Sequence, residues 1–165
     1  MKNLQDILKY AMDMELRAKE FYSFYKDKVN NKSIKLMFES LVDMEDQHYN
    51  ILKQQLDHLE KNSEIQKLDL THSEGDNIIN ERAAELKDLD EDFDVSELPI
   101  LRMAYAMESD FATYYQNAAE KVEEENAKEL LLTLAKWEIK HRDDFAQAVE
   151  IALQNTWFSQ GFAPF

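Results

Sequence analysis

Four long stretches of the chain place apolar side chains three, four or seven residues apart, which is the spacing of one helix face. In the first stretch, Leu4, Ala11 and Ala18 belong to a row that ends at Val29. The 165 residues include only 2 Gly and 2 Pro, whereas all-β folds need many such turn residues. The sequence therefore predicts an all-α protein, and its length suits a single domain over residues 1–165 with a sizeable core.

Polar breaks divide the predicted helices into two antiparallel pairs. Asn30-Asn31-Lys32 follows the first helix and Glu123-Glu124-Glu125-Asn126 follows the third, so the loop inside each pair is short. Ser33 and Ser96 are predicted to be the N-caps of the second and third helices, because a serine hydroxyl can accept a bond from a first-turn N–H group. The predicted helices cover about residues 4–29, 33–59, 97–122 and 126–153.

A polar and acidic segment, residues 60–96, connects the two pairs and is long enough to cross the full length of a bundle. A short helix is expected within it, over residues 76–90. The tail, residues 154–165, is expected to pack on the bundle or on a second subunit through its aromatic side chains, which are Trp157, Phe158, Phe162 and Phe165.

The second pair of helices repeats the first with an offset of 93 residues. Each half contains a Met-Glu pair, a tyrosine and a Glu-x-x-His motif, in that order. The matches are Met14-Glu15 with Met107-Glu108, Tyr22 with Tyr115, Glu45 with Glu138, and His48 with His141. In both halves the first glutamate precedes the glutamate of the motif by 30 residues. Each half is therefore one helical hairpin that needs the other half to cover its apolar face.

The glutamates and histidines of this repeat lie on the faces that are predicted to point inward. Residues three apart on a helix share a face, so each Glu-x-x-His pair can bind one ion. The inward row of the second helix reads Phe38, Leu41, Glu45, His48, Leu52, and that of the fourth reads Leu131, Leu134, Glu138, His141, Phe145. Glu15 lies midway between Leu8 and Tyr22, and Glu108 lies midway between Leu101 and Tyr115. Four carboxylates and two imidazoles are thus predicted to converge in the core.

Electrostatics favours two divalent cations among these groups. A buried carboxylate without a partner costs many kcal/mol, and no Lys or Arg shares the inward rows. Two divalent ions would balance the four carboxylates. Carboxylate and imidazole ligands suit iron and manganese, with zinc as a substitute.

A single Glu-x-x-His motif would be weak evidence in a chain with 34 acidic residues. Two such motifs on inward rows, each with a glutamate at the same distance upstream, favour a metal site over a solvated helix face. The remaining histidines, His58 and His72, are predicted to be surface residues. For Tyr22 and Tyr115, two interpretations stay open, namely core packing and a hydrogen bond to a ligating carboxylate.

Charge and composition exclude several other classes of function. The formal net charge of −15 disfavours binding to nucleic acid or to anionic lipid. The absence of Cys excludes disulfides, thiolate catalysis and iron–sulfur clusters. Residues 1–10 mix charged and apolar side chains, so neither a signal peptide nor a membrane span is expected, and the protein is predicted to be cytoplasmic.

The chain resembles the ferritin-like di-iron superfamily and, within it, the rubrerythrin-like proteins. The resemblance rests on Ala11-x-x-Met14-Glu15, Ala104-x-x-Met107-Glu108 and the two Glu-x-x-His motifs, and it covers roughly residues 4–59 and 97–153. It implies a ferritin-like four-helix bundle with up-down-down-up topology and a long crossover between helices 2 and 3.

The resemblance also implies a ligand set and a reaction. Glu45 and Glu138 would bridge two metal ions. Glu15 with His48 would serve one ion, and Glu108 with His141 would serve the other. Two ferrous ions would react with hydrogen peroxide or dioxygen and become an oxo-bridged ferric pair. The implied activity is peroxide scavenging or oxidation of ferrous iron.

Two departures from the resemblance bear on this function. Full-length rubrerythrins carry a rubredoxin domain with four cysteines, whereas this chain has no Cys, so a separate electron donor such as a rubredoxin is expected. Rubrerythrins also usually have a further glutamate one turn after the third-helix ligand, where this chain has Phe111. The six-ligand set is thus closer to that of bacterioferritin. A homodimer is expected from the resemblance alone.

Two other functions fit the same residues. Manganese accepts the same ligands, which allows an activity like that of manganese catalase. A non-catalytic bundle that is merely stabilised by its metal ions would also place these ligands inside.

Overall fold

The computed structural model describes residues 2–68 and 93–159, with side chains over 3–68 and 93–154. These residues form four α-helices, which are α1 (Lys2–Tyr25), α2 (Lys32–Asn62), α3 (Leu98–Ala119) and α4 (Glu125–Ser159). A short 3-10 helix, Val95–Glu97, precedes α3, and the described residues contain no strand. The expected short helix over 76–90 and the side chains of the aromatic tail lie outside the described residues. Within the described part, no helix is long and apolar enough to cross a membrane.

The starts of α2 and α3 differ from the prediction. Ser33 does not cap α2, because the side chain of Asn31 accepts bonds from the backbone N–H groups of Ser33 and Ile34. Ser96 does not cap α3, because it lies within the 3-10 helix that precedes α3. Asp94 caps that 3-10 helix by accepting a bond from the backbone N–H of Ser96. Asn and Asp side chains readily accept from a backbone N–H two residues further along the chain. Both predicted caps were therefore wrong: Asn31 caps α2, and α3 begins after Glu97 without a side-chain cap.

The helix ends also differ from the predicted bounds. Helix α1 ends at Tyr25, and residues 26–28 form a turn in which the N–H of Val29 bonds to the carbonyl of Tyr25 at 3.2 Å. Helix α2 ends at Asn62, where Ser63 adopts a left-handed conformation with φ of 64°. Helix α4 continues to Ser159, so it includes part of the segment that was predicted to be a tail.

Contacts between the two hairpins define the topology. Two hydrogen bonds join α1 to α3 in reversed order along the chain, pairing Glu15 with Tyr115 and Tyr22 with Glu108. Helix α1 is therefore antiparallel to α3. Helix α2 is antiparallel to α4 in the same way, because His48 contacts Glu138 while Glu45 contacts His141. The chain forms the predicted ferritin-like four-helix bundle with up-down-down-up topology.

The ends of the crossover lie at opposite ends of the bundle. Just after α2, the backbone of Ile65 bonds to the side chains of Glu124 and Asn126, at the loop between α3 and α4. Just before α3, the side chain of Glu97 accepts bonds from the backbone N–H groups of Asn30 and Asn31, at the loop between α1 and α2. The connection between helices 2 and 3 therefore joins one end of the bundle to the other, as predicted.

The apolar core consists of two clusters, which lie on either side of the predicted metal ligands. One cluster lies toward the α1–α2 loop and includes Phe38, Leu101 and Phe145. The other lies toward the α3–α4 loop and includes Leu8 and Leu131. The buried polar residues between the clusters thus interrupt a core that leucine would otherwise fill. The fold places them at mid-height on all four helices.

Candidate metal centre

All six predicted ligands are buried, and each helix contributes to the group. Helices α1 and α3 supply Glu15 and Glu108, and helices α2 and α4 supply the two Glu-x-x-His motifs. All four glutamate side chains are 0% exposed, and the histidines His48 and His141 are 4% and 1% exposed. The helical period explains this placement, because the residues continue the apolar rows of their helices.

His48 faces three carboxylates through one ring nitrogen. Its Nδ1 lies 3.1 Å from Glu138, 3.2 Å from Glu45 and 3.5 Å from Glu15. These four side chains come from three helices, and one ligand atom of each lies within 4.8 Å of the others. This group is the first of two places in which one cation can bind.

His141 has the same surroundings in the other half of the repeat. Its Nδ1 lies 3.3 Å from Glu138, 3.4 Å from Glu45 and 3.5 Å from Glu108. The two imidazole rings are nearly parallel, with centroids 5.7 Å apart and an interplanar angle of 11°. The duplicated sequence therefore folds into two nearly equivalent ligand groups that lie side by side.

Glu45 and Glu138 belong to both groups because each turns one oxygen toward each histidine. In Glu45, Oε2 faces His48 and Oε1 faces His141. In Glu138, Oε1 faces His48 and Oε2 faces His141. Glu15 and Glu108 each contact only one of the two histidines in these pairs. The geometry thus separates two shared carboxylates from two that serve a single group.

The distances between ligand atoms suit coordination of a metal ion. Two ligand atoms that bind one ion with bonds of about 2.1 Å lie about 3.0 to 3.4 Å apart in octahedral or tetrahedral geometry. The contacts of the two Nδ1 atoms with the carboxylates span 3.1 to 3.5 Å. No hydrogen bond of suitable geometry satisfies either Nδ1 atom, or either oxygen of Glu45 and Glu138, within the described structure. Such polar atoms, buried and without hydrogen bonds, require another partner.

The charge of this cluster is not balanced by basic side chains. Among the described residues, no Lys or Arg is buried, so four carboxylates face only two imidazoles. Ionised groups in a low-dielectric interior must be paired, protonated or bound to a cation. Two divalent ions would bring four positive charges to four negative ones. The donor set therefore fits a pair of divalent metal ions.

Shifts in pKa show how protons would balance the cluster without metal. Burial, and then the charge of a shared carboxylate, raises the pKa of Glu15 and of Glu108. Burial acts in the same direction on Glu45, but contacts with both histidines outweigh it and lower the pKa of Glu45. Burial would lower the pKa of His48, but the surrounding carboxylates outweigh it and raise that pKa. Without metal, protons would therefore balance part of the charge of the cluster, and a metal ion that binds there would displace them.

Two tyrosines donate hydrogen bonds to the two unshared carboxylates, each of which belongs to only one ligand group. Tyr115 donates a hydrogen bond to Oε1 of Glu15, and Tyr22 donates one to Oε1 of Glu108. Each bond leaves Oε2 of the same glutamate facing a histidine. Burial, and then the adjacent carboxylate, raises the pKa of both phenols, so the tyrosines remain donors.

Each tyrosine bonds to the glutamate of the opposite hairpin, not to the glutamate seven residues before it in its own helix. The antiparallel arrangement of α1 and α3 explains this crossing, because equal seven-residue offsets in the two helices bring each tyrosine level with the other glutamate. The equal spacing of glutamate and tyrosine in the two halves of the repeat was the sequence feature that could have predicted this crossing. The prediction left the partner of each tyrosine open.

Trp137, to which the sequence prediction assigned no role, also lies beside the site. Its ring stacks on His48 with centroids 4.9 Å apart and an interplanar angle of 13°. It also lines a surface groove of about 1030 Å³ that includes Lys67, Lys128 and Lys136. Trp137 therefore fixes the plane of a predicted ligand and separates it from the groove. Its position directly before Glu138 gave no indication of this contact, since neighbouring residues on a helix do not share a face.

The other two histidines take no part in the described cluster. His58 lies near the end of α2, where its ring contacts the side chain of Asn62 at 3.1 Å. His72 lies outside the described residues. Phe111, which occupies the position of the additional rubrerythrin glutamate, is buried in the cluster nearer the α1–α2 loop.

Comparison with known proteins supports an assignment to a family. Neither the curated proteins nor the solved structures include a significant match to the chain. The family model for rubrerythrin matches residues 6–149, which span all four helices and every residue of the cluster. With most of its length matched and its buried glutamates and histidines in two equivalent groups, the chain belongs to the rubrerythrin family.

Proposed function

We propose that the chain is a di-iron protein in which two iron ions, bound side by side in the core, react with hydrogen peroxide or dioxygen. The observation that carries the proposal is the orientation of Glu45 and Glu138, each with one oxygen toward each histidine. A carboxylate placed in this way can bridge two ions. Two such bridges would hold the ions close enough to act on the same oxygen substrate.

The four remaining ligands would add to the coordination of the two ions. Glu15 and His48 would bind one ion, while Glu108 and His141 would bind the other. The six residues supply fewer donor atoms than two six-coordinate ions require, so positions remain for a substrate. Iron, when bound, supplies the redox chemistry. The chain supplies charge balance, burial from bulk water and, through Tyr22 and Tyr115, fixed orientation of the unshared carboxylates.

The test is reconstitution with ferrous iron under anaerobic conditions, followed by addition of hydrogen peroxide. The proposal predicts the near-ultraviolet absorbance of an oxo-bridged ferric pair, which elutes with the protein on a desalting column and rises until two ions per chain are bound. A variant with both shared carboxylates changed, Glu45→Gln with Glu138→Gln, should not give this absorbance. No change in the spectrum of the iron-loaded parent protein would refute the proposal.

Manganese remains the main alternative metal, because its preferred ligands are the same. Protein purified from cells that are supplied with both metals would contain mostly iron if the proposal is correct. A predominance of manganese, together with conversion of peroxide to dioxygen and water, would instead indicate an activity like that of manganese catalase.

The non-catalytic alternative predicts a different pair of results. Metal removal would destabilise the fold, but the loaded protein would consume peroxide no faster than an equal amount of free iron. Faster consumption by the protein than by free iron would exclude this alternative. Sustained turnover would also require an external reductant, and a separate electron donor such as a rubredoxin remains our expectation for that role.

A further inference from the structure

A row of three tyrosine rings leads from the metal centre to the surface. Tyr115, which donates its hydrogen bond to Glu15, lies against Tyr114 with ring centroids 5.6 Å apart. Tyr114 in turn lies against Tyr10 with ring centroids 4.9 Å apart. Tyr115 is fully buried, Tyr114 is partly buried, and Tyr10 is 55% exposed. The row therefore connects a carboxylate of the cluster to solvent through phenol side chains alone.

The rings of the row are held in place by contacts on both helices. The hydroxyl group of Tyr114 donates a hydrogen bond of 2.9 Å to the carbonyl of Ile7 on α1. Both centroid distances lie within the range of direct contact between aromatic rings. Because electron transfer slows steeply with distance, direct contacts between oxidisable rings make a faster route than gaps filled by aliphatic side chains.

The other half of the repeat lacks this row. Tyr22, the counterpart of Tyr115, makes its ring contacts with phenylalanines in the described structure, which are Phe21, Phe38 and Phe145. With the offset of 93, the counterpart of Tyr114 is Phe21, and the counterpart of Tyr10 is Met103. Phenylalanine is much harder to oxidise than tyrosine. The two ligand groups thus differ in one respect: a row of tyrosines connects the group that contains Glu15 to the surface, whereas phenylalanines surround the tyrosine beside the group that contains Glu108.

We propose that Tyr115, Tyr114 and Tyr10 form an electron relay that carries oxidising equivalents from the metal centre to the surface when no reductant is present. This inference rests on the proposed function, since it requires that the loaded centre react with hydrogen peroxide. The relay would move the oxidation to an exposed phenol and away from the buried ligands and the methionines of the core.

The electrons and protons of this reaction balance. One electron leaves Tyr115 toward the oxidised centre, and the phenolic proton passes to Glu15, to which it is already hydrogen-bonded. An electron from Tyr10 then reduces Tyr115 across the ring of Tyr114, Tyr115 regains its proton, and Tyr10 loses its own proton to water. Reduction of one hydrogen peroxide to two water molecules takes two electrons and two protons. In two chains, four ferrous ions supply four electrons and two Tyr10 residues supply two electrons and two protons. With four further protons from water, these six electrons reduce three hydrogen peroxide molecules to six water molecules. Two exposed Tyr10 phenoxyl radicals on different molecules then couple to dityrosine.

The test follows phenoxyl radical and dityrosine, not peroxide consumption. The parent protein is loaded with ferrous iron, mixed with hydrogen peroxide without a reductant, and divided between freeze-quench electron paramagnetic resonance and dityrosine fluorescence. Peptide mass spectrometry then locates the cross-link. The control reactions are metal-free protein with peroxide, and the double variant Glu45→Gln with Glu138→Gln mixed with ferrous iron and peroxide. They report oxidation by peroxide alone and by radicals from iron in solution.

Tyr10→Phe and Tyr114→Phe are the decisive variants, and Tyr105→Phe is the matched control. Tyr105 is 40% exposed on α3, the same helix as Tyr114, but its contacts do not place it in the row. The relay predicts that the parent and Tyr105→Phe proteins form dityrosine at residue 10. Tyr10→Phe and Tyr114→Phe should lose it to the level of the metal-free protein while keeping the parent's metal content. Tyr10→Phe changes an exposed side chain, so it remains informative if Tyr114→Phe folds poorly.

Two outcomes would overturn the relay and leave the proposed function intact. The first is oxidation of the bound iron without phenoxyl radical or dityrosine in the parent protein. The second is equal loss of dityrosine in the Tyr105→Phe and Tyr10→Phe proteins. Failure of the bound iron to oxidise at all would overturn the proposed function, and the relay with it.

Discussion

Glutamate at an inward position of a helical bundle has a specific energetic consequence. The side chains of Glu15, Glu45, Glu108 and Glu138 are completely buried, and no buried Lys or Arg accompanies them in the described residues. An unpaired buried charge costs several kcal/mol, whereas leucine at the same position would stabilise the core. These residues therefore weaken the metal-free protein, and bound cations would remove that cost. The two roles of the glutamates, shared and unshared, can be separated by substitution.

Glu15→Gln and Glu45→Gln should change metal content by different amounts. Glutamine keeps the side-chain volume but removes the charge, so loss of the unshared Glu15 should mainly release the ion beside His48. Loss of the shared Glu45 should weaken both ions. We expect about one bound ion per chain for Glu15→Gln and less than one for Glu45→Gln, measured by elemental analysis after equilibration with limiting metal. Glu20→Gln, at an exposed position on α1, is the control. Equal metal content in all three variants would contradict the assigned roles.

Tyr22→Phe should weaken one ion without removing a ligand. The change deletes the hydrogen bond to Glu108 and leaves a buried carboxylate oxygen without a donor. Loss of a hydrogen bond to a ligand typically lowers metal affinity by about 10- to 100-fold. Competition with a chromophoric chelator would measure this loss, and Tyr105→Phe would serve as the control. An affinity equal to that of the parent protein would show that the tyrosine only fills space.

At the scale of helices and loops, Glu97 ties the start of α3 to the loop between α1 and α2. Its buried side chain accepts bonds from the backbone N–H groups of Asn30 and Asn31. The same loop contains the N-cap of α2, because Asn31 binds the N–H groups of Ser33 and Ile34. One carboxylate therefore joins the two hairpins at the end of the bundle that contains the α1–α2 loop, away from the buried glutamates and histidines at mid-height.

Glu97→Ala should destabilise the fold by about 1–3 kcal/mol, because it leaves two N–H groups without their acceptor. Glu97→Gln should cost less, since its amide oxygen can still accept both bonds. Denaturant unfolding of the metal-free proteins would measure the difference. Equal stability of Glu97→Ala and the parent protein would show that water replaces the side chain without cost.

The sequence predicted the helices and the convergence of Glu15, Glu45, His48 and their repeat partners because both follow from the helical period. It did not predict the caps, since the choice between Ser33 and Asn31 depends on local backbone geometry that periodicity does not specify. The crossing of Tyr22 to Glu108 and the stacking of Trp137 on His48 depend on how helices are placed against each other. Such contacts between distant segments are set by packing of the whole bundle.

At the scale of the whole molecule, the candidate metal centre separates two apolar clusters and lies between the two hairpins. Each candidate ligand group draws on residues from both hairpins, so a bound ion would link one hairpin to the other. Ligands that bind only the folded state stabilise it. The bundle should therefore depend on its metal more than a bundle with an uninterrupted core would.

Metal removal should lower the melting temperature while leaving the helical content at low temperature largely unchanged. Each ion present at about 1,000 times its dissociation constant adds about 4 kcal/mol, so two ions add about 8 kcal/mol. For a chain of this size that corresponds to about 20 °C. Calorimetry before and after chelation, followed by reloading, would measure the shift. An unchanged melting temperature would show that protons in the cluster balance its charge as well as metal does.

The central claim is that the buried carboxylates bind two cations, and anaerobic titration with ferrous iron tests it most directly. The account predicts saturation at two ions per chain in the parent protein and no tight binding when Glu45 and Glu138 are both changed to glutamine. Saturation of the parent protein at zero or one ion, or undiminished tight binding in the double variant, would contradict it.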